Sequence, residues 1–120
     1  RVVNPLLVDE QIRGGVVQGI GGALFEHCIY DDDANLLNGT LADYLVPMAS
    51  EMPDIEVGHV ETPMEGTALG AKGAGEAGTV GAPAAIMCAV NDALRPHRAL
   101  VTEMPITPDV VLSAIKNGPA

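Results

Sequence analysis

The sequence predicts an α+β fold, about three helices with a small mixed or antiparallel sheet. Apolar residues recur at helical spacing over 10–29, 83–94 and 110–116, while short apolar runs at 41–46, 55–60 and 100–104 read as strands. A glycine-rich decapeptide, Gly70-Ala71-Lys72-Gly73-Ala74-Gly75-Glu76-Ala77-Gly78-Thr79, links the strand-like middle to the second helical pattern.

In chain order, Val2 and Val3 are extended before Asn4-Pro5, a turn signal. Asp9 then caps a helix from Glu10 to Ile29. Ile12, Val16, Ile20, Ala23 and His27 fall on one side of it, and Gln11, Gly15, Gln18 and Gly22 on the other. Gly14, Gly15, Gly19, Gly21 and Gly22 together forgo roughly 4 to 5 kcal/mol of helix propensity relative to Ala. Such a deficit calls for close approach of another backbone or of a ligand. Tight helix-on-sheet packing accounts for the glycines as well as a ligand does, but leaves the two glutamines on that face unexplained.

Asp31-Asp32-Asp33 lacks the alternation, central Gly and distal Glu of an EF-hand and reads as a solvated turn. Asn38-Gly39 gives another turn, Leu41 to Val46 a strand stopped by Pro47, and Met48 to Pro53 a loop. Ile55 to Val60 alternates as a short strand before Pro63 to Gly66 breaks it. Pro83 to Leu94 reads as a helix burying Ile86, Ala89, Val90, Ala93 and Leu94, and Leu100 to Met104 as a last strand. Thr107-Pro108 starts the final helix, Val110 to Lys116, with a capping hydroxyl followed by proline at the first helical position.

At 120 residues the chain is one domain or part of one. Its start at Arg1 without Met reads like mid-domain sequence, so a fragment or processed subunit is expected. Phe25, Tyr30 and Tyr44 are its aromatics, so the core rests on aliphatic side chains. A net charge of −10 excludes sequence-independent nucleic-acid binding and disfavours anionic membrane surfaces. No apolar run approaches the roughly 20 residues of a membrane span and no signal-peptide pattern is present, which favours the cytoplasm. Cys28 and Cys88 have no partner at zinc or iron-sulfur spacing and read as small buried hydrophobes in a reducing compartment. His27 reads as a hydrogen-bonded core residue, while His59 and His97 carry no assignment. No metal-ligating set is expected.

Lys72 is the sole Lys or Arg between Gly14 and Leu94, a stretch with twelve of the sixteen acidic residues. Glycines beside it let backbone N–H groups approach an anion, and the following helix adds partial positive charge. A Walker A loop needs Ser or Thr directly after its Lys, and Gly73 stands there. Gly73 to Gly78 matches G-x-G-x-x-G, yet Pro63-Met64-Glu65-Gly66-Thr67 occupies the place of the buried strand that a dinucleotide fold needs. A dinucleotide-binding module is therefore a distant alternative.

Five ordered motifs carry a more specific likeness: Glu10-Gln11-Ile12-Arg13-Gly14-Gly15 with Val17-Gln18-Gly19-Ile20-Gly21-Gly22; Asp43-Tyr44-Leu45-Val46-Pro47; Gly70 to Glu76; Pro83-Ala84-Ala85-Ile86; and Ala89-Val90-Asn91-Asp92-Ala93-Leu94. Together, over nearly all 120 residues, they resemble the C-terminal part of the molybdopterin-binding large subunit of the molybdenum hydroxylases, the family of xanthine dehydrogenase, aldehyde oxidoreductase and aerobic carbon monoxide dehydrogenase. The resemblance implies that residues 1–120 form a C-terminal segment of a larger molybdopterin-binding domain. It implies oxidative hydroxylation of a small molecule with water as oxygen source. Glu76 matches the family's catalytic glutamate, the base beside molybdenum, and Gln11 the glutamine that hydrogen-bonds the cofactor. Lys72, Gly73, Ala74 and Gly75 are implied to lie along that cofactor, molybdenum-molybdopterin, with its cytosine dinucleotide as one form. The implied partners are the remainder of the large subunit and iron-sulfur and FAD domains or subunits, in an oligomer. Where the family usually has Gly before the first glutamine, this chain has Glu10. The family's other cofactor-binding segments lie upstream, so the isolated chain is expected to be inactive. The rival reading is a non-catalytic docking fragment, whose sign is the glycine face of the first helix. Without the resemblance, helix capping is the default role for Glu76.

Overall fold

A computed structural model describes residues 1–118. It contains three helices, α1 (Pro5–Leu24), α2 (Ala77–Leu94) and α3 (Pro108–Asn117), with single 3-10 turns at Ala49–Glu51 and Arg95–His97. The expected sheet is absent: among the described residues the sole β-type pairing is an isolated bridge between Tyr30 and Leu36. The fold is helical, and the α+β expectation is corrected.

Each expected strand fails for its own reason. Residues 100–102 have no regular structure and 103–104 bend, and the ladder partner of Val101 is a side chain: Asn91 Oδ1 accepts from Val101 N at 2.8 Å, and Asn91 Nδ2 donates to Val101 O at 2.9 Å. Residues 55–60 run beside α1 and are tied to it by Arg13 Nε, which donates to Ile55 O at 3.0 Å. Residues 40–44 close a turn in which the Thr40 carbonyl accepts from Asp43 N at 3.0 Å and Tyr44 N at 2.8 Å. Backbone polar groups thus find partners without a neighbouring strand.

Helix α1 begins five residues earlier than expected. Asn4 Oδ1 accepts from Leu7 N at 3.3 Å with Pro5 in the first turn, so the Asn-Pro pair is a helix start and Asp9 lies inside the helix. It also stops early, because Gly21 O accepts from both Phe25 N and Glu26 N. Beyond it, the buried Asn38 side chain accepts from Ile29 N at 2.9 Å and donates to His27 O at 2.6 Å, holding 27–29 in a non-helical path. His27, Cys28 and Cys88 are exposed, against the expectation that they are buried.

The crossing of α1 on α2 explains the glycines. A Cβ on Gly19 would stand 2.6 Å from Ala82 Cβ, and one on Gly78 would enter the α1 backbone at Ile12 O and 2.9 Å from Val16 N. Only backbones without Cβ approach this closely. The covering element is a helix, not the expected sheet. That contact also lets α2 start at Ala77 and run through Pro83, which the sequence reading takes as its first residue. With the following turn, Ala77–His97 runs for 21 residues and holds an 18-residue window of mean hydropathy 1.2, long and apolar enough to span a bilayer by those measures, where none was expected. Its Gly78 and Pro83 side is spent on α1.

A second contact unites the far end of α2 with α3. Leu94, Ala99, Val101 and Ile106 form a buried cluster against which Leu24, Val90, Val111 and Ile115 pack. Ile106 N donates to Ala23 O at 2.7 Å, fastening the segment before α3 to the end of α1. The α3 start is as expected, with the Thr107 side chain accepting from Val110 N. Elsewhere the chain is open. Its radius of gyration is 18.3 Å, against about 14 Å for a compact domain of this length. Val60 is 95% exposed and Leu41 84%.

Candidate functional site

The first turn of α2 meets the middle of α1 at the decapeptide. Gln11 Nε2 donates to Gly75 O at 2.8 Å. One turn further along, Thr79 Oγ1 donates to Gly15 O at 3.0 Å and lies 3.4 Å from Gln18 Oε1. Both glutamines of the glycine face therefore serve the start of α2.

Glu76 is the N-cap residue of α2, yet its carboxylate makes no capping hydrogen bond. Its carbonyl accepts from Thr79 N at 3.1 Å and Val80 N at 3.2 Å, so the backbone is fixed while the exposed side chain has no hydrogen-bond partner among the described residues. The default capping role is not realised.

Lys72 is exposed and donates from Nζ to Thr62 Oγ1 at 2.9 Å, which draws the decapeptide onto the segment after residue 60. Lys72, Gly73 and Ala74 line a cleft of about 290 Å³ with Ile12, His59 and Thr62. A Cβ at Gly73 or Gly75 would meet nothing within 4 Å, so that stretch of backbone is open to a ligand. Among the expected residues, Gln11, Gly75 and Glu76 come together directly, whereas Lys72, Gly73 and Ala74 extend from them along the cleft wall.

His59 was given no role by the sequence. Its Nε2 lies 2.6 Å from Asp9 Oδ1 on the same cleft, tying the 55–60 segment to α1. A separation of 50 residues carries no local signal, and only the fold reveals the pair. Glu10, the departure from the family pattern, is paired with Arg13 on a larger groove of about 860 Å³ beside 47–56. That groove includes none of the expected site residues, so its size does not make it the site. The nucleotide alternative loses its structural basis, because 65–69 are turns where a strand would have to enter the first glycine. No group of three or more His, Cys, Asp or Glu side chains gathers at metal-binding distance among the described residues.

The donor set suits an anionic pterin cofactor. Gln11 retains one N–H and its Oε1 after bonding Gly75, Lys72 supplies positive charge, and the open glycine backbone supplies further donors.

Comparison with known proteins identifies the family. Residues 1–53 match the family described as molybdopterin cofactor-binding domain. The chain is 49% identical over 115 residues to the nicotine 6-hydroxylase large subunit of Paenarthrobacter nicotinovorans, covering 96% of this chain and 14% of that protein. It is 35% identical over 114 residues to the carbon monoxide dehydrogenase large chain of Hydrogenophaga pseudoflava, covering 95% of this chain and 14% of that one. The crystal structure of quinoline 2-oxidoreductase from Pseudomonas putida 86 superposes with a TM-score of 0.94 at 44% identity, over 98% of this chain and 15% of that one. The chain thus spans about a seventh of the length of these relatives. On its sequence and its fold, the chain belongs to the molybdopterin-binding large-subunit family of the molybdenum hydroxylases.

Proposed function

We propose that this segment supplies the general base and part of the cofactor wall of a molybdenum-dependent oxidoreductase that hydroxylates a small molecule with oxygen from water. The observation that carries the reading is the unpartnered Glu76 carboxylate at the start of α2, beside a glutamine and an open glycine backbone. Such a group is free to accept a proton, as a general base must be.

Gln11 and the 72–75 backbone would hold the molybdenum-molybdopterin group, in its plain or cytosine dinucleotide form. When bound, that group would supply the redox centre that accepts electrons from the substrate carbon. Glu76 would hold the proton released as water oxygen is added. Lys72 would balance cofactor charge in a stretch otherwise rich in carboxylates. The exposed apolar side chains, Leu41 and Val60 foremost, would be covered by the remainder of the large subunit. Iron-sulfur and flavin subunits or domains would carry the electrons onward in the assembled oligomer. Two free thiols, Cys28 and Cys88, suit the cytoplasm.

Glu76→Gln in the complete protein tests the reading. Molybdenum and pterin contents should match wild type while steady-state turnover is nearly abolished; near-normal turnover would overturn it.

A further inference from the structure

We infer that Gln11 is a positioning residue for Glu76, acting through the Gly75 carbonyl; the inference rests on the proposed role of Glu76 as base. The Gly75–Glu76 peptide is the last backbone unit before the helix, and the hydrogen bond from Gln11 Nε2 to Gly75 O at 2.8 Å holds it from α1. A planar trans peptide directs its C=O and N–H to opposite sides. Fixing the Gly75 oxygen toward Gln11 therefore turns the Glu76 N–H away from α1 and sets the direction in which the Glu76 Cα leaves the peptide.

The tether matters because the neighbouring backbone is soft. Gly73 and Gly75 have no Cβ, and a Cβ at either would touch nothing within 4 Å, so packing does not restrain that stretch. On its other side Glu76 is rigid, since its carbonyl accepts from Thr79 N and Val80 N in the first turn of α2. Thr79 is fixed to α1 in its turn by the bond from its hydroxyl to Gly15 O at 3.0 Å. The base thus sits between a helix that holds its C-terminal side and, on its N-terminal side, a turn closed by Ala77 N donating to Ala74 O at 3.3 Å, which the Gln11 amide ties to α1. Gln11 keeps its second N–H and its Oε1 for the cofactor, so one side chain would register the base against the cofactor wall.

The test uses the complete protein with Gln11→Met, which keeps length and helix propensity but removes both N–H groups, and Gln11→Glu, whose ionised carboxylate can only accept. Hydrogen exchange of the 73–79 segment is followed with and without bound cofactor, alongside kcat and KM. Faster exchange at 73–79 is expected in both variants, in the cofactor-free protein as well as the loaded one. In loaded protein kcat should fall about 10- to 100-fold, as for a misplaced catalytic group, with KM within about twofold. Adding Gln11→Met to Glu76→Gln should cost less than about twofold more, because the two act as one unit. Unchanged exchange in the cofactor-free protein would overturn the inference, whatever happens to activity. So would an undiminished effect of Gln11→Met in the Glu76→Gln background. If Glu76→Gln alone retains normal turnover, the role of the base fails while exchange at 73–79 still reads the tether.

Discussion

Gln11 and Gly75 stand 64 residues apart in the chain and are joined by a 2.8 Å hydrogen bond from a side-chain amide to a backbone carbonyl. This link ties the glycine-rich decapeptide to α1. It sets the residue before Glu76 against the same face of α1 whose glycines admit α2, so the packing of the helices and the placement of the carboxylate have one structural cause.

Glycine substitutions on α1 and α2 should divide by position. Gly78→Ala forces a Cβ into backbone at Ile12 and Val16, and Gly19→Ala meets Ala82 Cβ at 2.6 Å. Each should cost about 1 to 3 kcal/mol or more. Gly22→Ala meets nothing within 4 Å and should be neutral or stabilising by up to about 1 kcal/mol. Hydrogen exchange of the α1 and α2 peptides in the complete protein checks the ranking, and equal effects at the three sites would refute the crossing.

Asn91 should be more important than its polarity suggests. Asn91→Leu removes both bonds to Val101 and leaves a backbone N–H and C=O without their partner, a loss of about 1 to 3 kcal/mol. Asn91→Asp keeps the acceptor for Val101 N but points an oxygen at Val101 O, and should also destabilise the 99–106 segment. Local exchange at 99–106 in the two variants measures this.

Lys72→Met should weaken cofactor retention with little effect on folding, because Lys72 is exposed and its contact is the hydroxyl of Thr62. Fluorescent oxidised pterin released from dialysed protein gives the readout. Lys72→Arg should retain more pterin than Lys72→Met, and equal retention in the two would deny the charge a role.

Asp31 should report the closure of its turn. The Asn35 side chain, then the Asn35 and Asp33 backbone N–H groups, hold its carboxyl below the ordinary aspartate value. A depressed value means that the turn's stabilisation is present above the unfolded-state pKa and is lost as pH falls through the folded one. Carbon-13 titration of labelled aspartate carboxyls should find Asp31 low in wild type and shifted upward in Asn35→Ala.

Thr107-Pro108 was legible as a helix start because a capping hydroxyl and a proline at the first position act locally. Asn4-Pro5 carries the same signal but also spells a turn, and only the following helix decides between them. The start of α2 was hidden by Gly78 and Pro83, poor helix formers that the contact with α1 overrides. The sheet was misread because β-like patterning reports an extended, half-covered backbone. It does not say whether the partner is a strand or, as at Val101, an asparagine side chain. At the site, the glycines and Gln11 stood out in the sequence. Their bond to Gly75 and the His59–Asp9 pair did not, since each joins residues 50 or more positions apart.

The most direct test of the central claim is the rate at which excess substrate reduces the metal centre of the loaded, complete enzyme in a single turnover, wild type against Glu76→Gln. This step isolates the chemistry from product release. If Glu76 is the base, the rate should fall by about 10²- to 10⁴-fold at unchanged molybdenum content. A rate within a few-fold of wild type would contradict the account.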